Sequence, residues 1–138
     1  DSGEETVVKN INGTVDNETY GKVWSGVGEF NNEKTAFTLW CGTLTDKDLK
    51  KMKDYENIYF YIYNPNDTDV VFCLQDNTES WGNNDVTTIA AKSWTKVSVK
   101  QIQYVEGATT AWFKVIVSNA DTFVTEGWMI SDFYGTAK

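Results

Sequence analysis

The stretch Asn57-Ile58-Tyr59-Phe60-Tyr61-Ile62-Tyr63-Asn64 decides the fold class. Side chains alternate across an extended strand with a period of two, so Ile58, Phe60 and Ile62 share one face and Tyr59, Tyr61 and Tyr63 share the other. The aliphatic-rich face is the one to bury. The segment ends at Asn64-Pro65-Asn66-Asp67, where the fixed φ of Pro65 presets a turn.

The same pattern extends outward. Strand-like runs bounded by turn residues fall at Thr6–Asn10, Val23–Phe30, Thr35–Thr43, Asp69–Gln75, Val86–Ala90, Trp94–Lys100, Ala111–Ser118 and Gly127–Tyr134. Alternation sends Val70, Phe72 and Leu74 inward with Val71, Cys73 and Gln75 opposite. It sends Val97 and Val99 inward, with Trp94, Lys96 and Ser98 opposite. Phe113, Val115 and Val117 go in, leaving Trp112, Lys114 and Ile116 outside. Asn31-Asn32 marks a turn whose residues tolerate positive φ, and Gly82-Asn83-Asn84-Asp85 a longer loop. Thr45 could cap a short helix over residues 45–52, with Asp48 at the reciprocal position. At 138 residues, with one proline and no internal repeat, the chain fits a single domain spanning 1–138. The expected architecture is an all-β, two-sheet antiparallel β-sandwich of jelly-roll, galactose-binding-like form, with at most that one short helix.

Composition narrows the chemistry. A net charge of −8 disfavours nucleic acid and anionic membrane surfaces, which need a basic face. No apolar run of about 18 residues suggests membrane insertion. The opening Asp1-Ser2-Gly3-Glu4-Glu5 reads as a trimmed boundary or the end of a linker, not a signal peptide. The chain has no histidine, which removes the usual general base, the Ser-His-Asp and Cys-His arrangements and most zinc sites. Gly26-Val27-Gly28 lacks the third glycine of a dinucleotide loop. Two carboxylates suffice for a glycosidase, but among 20 acidic residues a suitable pair is expected by chance, so the spacing carries no information. Cys41 and Cys73 both sit in apolar runs, and the sequence leaves open whether they are bridged.

Aromatic residues make up 14% of the chain, more than a core of this size needs. Trp40, Tyr59, Tyr61, Tyr63, Trp81 and Trp112 fall outside the inferred core. A flat ring stacked on the C–H face of a sugar removes that face from water and leaves the hydroxyls free. Gln75, Gln101, Gln103, Asn77, Asn83 and Lys114 are suited to hydrogen-bond those hydroxyls. Trp81 stands out because it lies in the polar loop Asn77–Asn84. The alternative for the tyrosines is a cross-strand ladder or a small second core beneath a loop. Trp94 and Trp128 each open a strand beside core residues and are expected to pack at its edge. No cofactor is required; a structural Ca²⁺ could draw on Asp132 with Asp16, Asn17 or Glu18.

Taken together, Tyr55–Pro65 (YENIYFYIYNP), Lys92–Val99 (KSWTKVSV) and Trp128–Phe133 (WMISDF) resemble the β-sandwich carbohydrate-binding modules appended to glycan-degrading enzymes of gut and rumen bacteria. The resemblance runs from about Thr35 to the end. It implies a monomeric accessory domain of a secreted or cell-surface, multi-domain glycoside hydrolase, binding plant polysaccharide. β-Glucan or xyloglucan is the first choice of ligand, with xylan, mannan and starch behind. It also implies a calcium opposite the binding face, although Ser131 stands where an acidic residue often begins the closing pair. Two other readings stay open: a structural or adhesive sandwich that binds protein in a surface assembly, and a small glycosidase.

Overall fold

In the computed structural model, which describes residues 4–8, 15–26, 28–45, 54–76, 86–98 and 110–137, the alternating segment is strand β6 (Tyr55–Asn64). Ile58, Phe60 and Ile62 are buried while Tyr59, Tyr61 and Tyr63 are half-buried, as the period of two requires. The other strands are β1 (Glu4–Val8), β2 (Val15–Asn17), β3 (Gly21–Gly26), β4 (Glu29–Phe30), β5 (Ala36–Thr45), β7 (Val70–Asp76), β8 (Val86–Ile89), β9 (Ser93–Ser98), β10 (Thr110–Ile116), β11 (Trp128–Ser131) and β12 (Phe133–Ala137). They form two antiparallel sheets packed face to face, and no helix occurs among the described residues. The fold is a β-sandwich.

The larger sheet has seven strands in the order β1-β12-β6-β11-β3-β2, with β9 on the other side of β6; the smaller has five, in the order β4-β5-β10-β7-β8. Between the sheets lie two aromatic groups. Phe37 packs with Phe30, Phe123 and Trp128, while Phe60 stacks on Phe133 with centroids 4.6 Å apart and planes 4° apart, and meets Phe72 edge-on. Val70, Val97, Val115 and Val117 complete the core on the faces the alternation assigns them.

Several expectations need correction. The run Val23–Phe30 is not one strand: it divides into β3, in the larger sheet, and β4, in the smaller, so this stretch crosses from one layer to the other. The run Gly127–Tyr134 is interrupted at Asp132, which separates β11 from β12. Strand β2 was not expected; it is a short polar edge strand pairing only with β3, and too brief for alternation to register. Trp128 is wholly buried rather than at a strand edge, its indole N–H donating to the Val124 carbonyl at 2.9 Å. The turn at Asn31-Asn32 exists, but the positive φ falls on Lys34 (56°). Asn31 acts through its side chain, whose carbonyl accepts the amides of Thr35 and Ala36 at 2.8 and 3.0 Å. Of the helical candidate, Thr45 ends β5 as strand and the rest lies outside the described residues.

Candidate ligand-binding face

The outer face of the larger sheet carries the tyrosines of β6. Antiparallel pairing sets Tyr63 opposite Trp94, Tyr61 opposite Lys96 and Tyr59 opposite Ser98 on β9, and sets Tyr59 opposite Tyr134 on β12. Register therefore gathers one aromatic layer from three strands. Tyr59 meets Tyr61 edge-on at 5.8 Å and Tyr134 at 5.9 Å, and Tyr63 lies 5.8 Å from Trp94. The Lys96 ammonium sits over the Tyr59 ring, 4.1 Å from its centroid, the geometry of a cation–π contact.

A fourth contributor comes from the turn joining β2 to β3. The Tyr20 ring stacks on Trp94 with centroids 4.2 Å apart and planes 29° apart, and lies 4.7 Å from Tyr61. The turn is built by Asn17, whose side-chain carbonyl accepts the backbone N–H groups of both Thr19 and Tyr20 at 2.9 Å. The Tyr134 hydroxyl donates to the Tyr20 carbonyl at 3.4 Å.

The sheet beneath this layer is sealed. Val23 and Ser131 are direct partners on β3 and β11 and fall on the outer register, yet both are fully buried. By contrast Tyr20, Tyr59, Tyr61, Tyr63, Trp94 and Tyr134 are all half-buried: each ring keeps part of its surface in water. The arrangement offers flat apolar surface with hydroxyls and one ammonium among the rings. Such a surface can stack on a ligand and hydrogen-bond its periphery.

Of the residues expected to bind ligand, Tyr59, Tyr61 and Tyr63 lie together in this layer. Trp40, Gln75 and Trp112 belong to β5, β7 and β10 of the smaller sheet, where Trp112 and Gln75 are direct cross-strand partners. Lys114 is there too, half-buried and opposite Cys73. Those residues are thus on a different sheet from the tyrosines. Trp81, Gln101, Gln103, Asn77 and Asn83 lie outside the described residues. Sequence reasoning missed Tyr20, Tyr134 and Lys96 as members, and placed Trp94 at a strand edge. Alternation had already turned Trp94 and Lys96 away from the core; the missing information was that β9 pairs with β6.

Cys73 is a fully buried thiol. Asp132 is half-buried at the break between β11 and β12, and its backbone carbonyl accepts the Ser131 hydroxyl at 2.8 Å. Asn17 commits its side-chain oxygen to its own turn. Among the described residues no three His, Cys, Asp or Glu side chains gather into a group that could hold a metal ion. A concavity of about 330 Å³ lies at the β6–β7 turn, lined by Asp69, Val71, Ile116, Asn119 and Phe123 among others, and among the described residues none of those expected to bind ligand lines it. No family model matches the chain, and no curated protein or solved structure is significantly similar to it.

Proposed function

We propose that this domain is a non-catalytic carbohydrate-binding module that takes plant cell-wall polysaccharide on the outer face of its larger sheet, β-glucan or xyloglucan first, with xylan, mannan or starch next. The observation that carries the reading is the continuous layer of half-exposed rings from Tyr63 and Trp94 through Tyr20 and Tyr61 to Tyr59. Sugar rings bury C–H surface against such faces without losing hydration of their hydroxyls. The proposed setting is a secreted or cell-surface bacterial glycoside hydrolase to which the domain is appended. The resemblance of the YENIYFYIYNP, KSWTKVSV and WMISDF stretches to such modules supports the same reading.

A second reading has its own support. Tyr20 spends part of its surface on Trp94 and Tyr61, and Val23 and Ser131 are buried on the outer register; a layer that packs on itself serves equally well as the rigid face of an adhesive sandwich that binds protein. Affinity gel electrophoresis against xyloglucan, barley β-glucan, xylan, mannan and starch separates the two. Under the glycan reading, at least one polysaccharide retards the wild type and Trp94→Ala loses about tenfold in affinity, the cost typical of one stacked ring. If Trp81→Ala abolishes retardation and Trp94→Ala does not, the domain still binds glycan but the site is the Asn77–Asn84 loop. Absence of retardation by all five would sink the glycan reading for these ligands.

A further inference from the structure

The position of Tyr20 has a specific cause. Its ring lies on Trp94 of β9 and beside Tyr61 of β6, although its backbone belongs to the turn between β2 and β3. In the order of the sheet, β11 stands between that hairpin and β6, and β9 pairs with β6 in turn. An isolated turn would not hold a side chain that far across a sheet. Here the chain is bent by Asn17, whose single side-chain oxygen captures two successive amides, and then by Gly21 at φ 75°, a left-handed conformation that suits glycine. The Tyr134 hydroxyl lies against the same place: it donates to the Tyr20 carbonyl, and a Cβ on Gly21 would stand 3.4 Å from its oxygen.

The geometry points to Asn17 as the positioning residue of the aromatic face and to Tyr20 as one of its ligand-contacting rings. Resting on the glycan reading of that face, this assigns the stacking surface over Trp94 to a residue delivered by the hairpin rather than to Trp94 alone. Because Tyr20 and Trp94 are stacked and both keep part of their surface in water, a sugar at that point meets a surface built from both rings. Three hydrogen bonds hold the turn, two to Asn17 and one from Tyr134, and that favours a fixed platform over a lid that must swing away. Asn17 acts only through Tyr20; it is half-buried and offers the ligand no ring.

The test uses the wild type, Asn17→Ala, Asn17→Asp and Tyr20→Ala. Two readouts are taken: near-ultraviolet circular dichroism, which reports the asymmetric stacking of Tyr20 on Trp94 without any sugar, and affinity gel electrophoresis on the five polysaccharides. Tyr20→Ala defines the dichroic signal belonging to the stack. Asn17→Ala should lose that same signal and about tenfold in affinity, the scale of one lost stacked ring, while Asn17→Asp, which retains an acceptor oxygen, should keep both. An unchanged dichroic signal in Asn17→Ala overturns the positioning role. Loss of the signal with affinity unchanged overturns Tyr20 as a ligand contact and leaves the glycan reading intact. If the wild type itself is not retarded, the glycan reading and with it the ligand contact of Tyr20 fail, and the dichroic comparison alone decides the positioning role of Asn17.

Discussion

The Ser131 hydroxyl accepts a hydrogen bond from the backbone N–H of Tyr61 at 2.9 Å and donates one to the Asp132 carbonyl at 2.8 Å. It fills the gap where the edge of β6 changes partner from β12 to β11 and a ladder hydrogen bond is displaced. A hydroxyl here is a backbone substitute: it accepts one main-chain amide and donates to one main-chain carbonyl.

Ser131→Ala should therefore cost about 1–3 kcal/mol, the usual penalty for leaving a buried amide without its acceptor. Urea denaturation monitored by tryptophan fluorescence would give the value. A loss below about 0.5 kcal/mol would mean that the Tyr61 amide finds another partner.

Asn64 does comparable work at the end of the same strand. It is fully buried; its side-chain N–H groups face the carbonyls of Thr68, Ile89 and Ala90 at 3.0–3.3 Å, and its oxygen accepts both nitrogens of Asn66. Asn66 in turn accepts the Val124 amide at 2.7 Å, so three connections are tied at one node. Asn64→Ala should cost about 2–4 kcal/mol. Asn64→Asp would place a carboxylate against carbonyl oxygens, raising its folded pKa. The variant should then be nearest to wild-type stability below the unfolded value of about 3.9, and lose stability as pH rises above it. Thermal midpoints at pH 4 and pH 7 distinguish these cases; equal deficits at both would refute the charge argument.

Gly28 is set by space alone. A Cβ there would run into the Thr38 carbonyl oxygen and the Phe37 ring, neither of which can yield without disturbing β5 or the core. Gly28→Ala should destabilise by about 3 kcal/mol, at the upper end for overpacking, whereas Gly21→Ala, with room but φ at 75°, should cost about 1 kcal/mol. Comparison of the two denaturation curves tests the order.

Tyr55 donates its hydroxyl proton to Glu5 at 2.9 Å, and this bond, with lesser contributions from burial and the charges of Glu5 and Asp54, raises its pKa above the ordinary 10.0. Raising the folded pKa favours the protonated form. The contribution is therefore complete at neutral pH and disappears as pH climbs through the raised value. Phenolate absorbance should show a late-titrating component that Tyr55→Phe removes; a Tyr55 that ionises at or below the ordinary value would refute the bond to Glu5.

Much of the fold was legible because alternation is a local property. The burial of Ile58, Phe60 and Ile62 against Tyr59, Tyr61 and Tyr63 needs no knowledge of which strand lies alongside. What alternation leaves out is pairing. Trp94 and Lys96 read as outward-facing, but only the register of β9 on β6 makes them neighbours of the tyrosines. Tyr20 was illegible for another reason: a turn residue has no face until the turn is folded, and the Asn17 capture that aims it looks in sequence like any loop asparagine. Buried polar nodes such as Ser131 and Asn64 escape in the same way, since some of the partners that satisfy them, Tyr61 for Ser131 and Ile89 and Ala90 for Asn64, are distant in the chain.

The place of β11 and β12 in the larger sheet also bears on the order of assembly. All pairings of the smaller sheet lie between residues 29 and 116, whereas β1, β3 and β6 each pair with β11 or β12, the last strands along the chain. On a ribosome, the smaller sheet could close while the aromatic face had only the β2–β3 hairpin and the β6–β9 pair to work with. Hydrogen exchange on arrested nascent chains should accordingly show amides of β5, β7 and β10 protected before those of β1, whose partner among the described residues is β12, and protection in the reverse order would rule this sequence out.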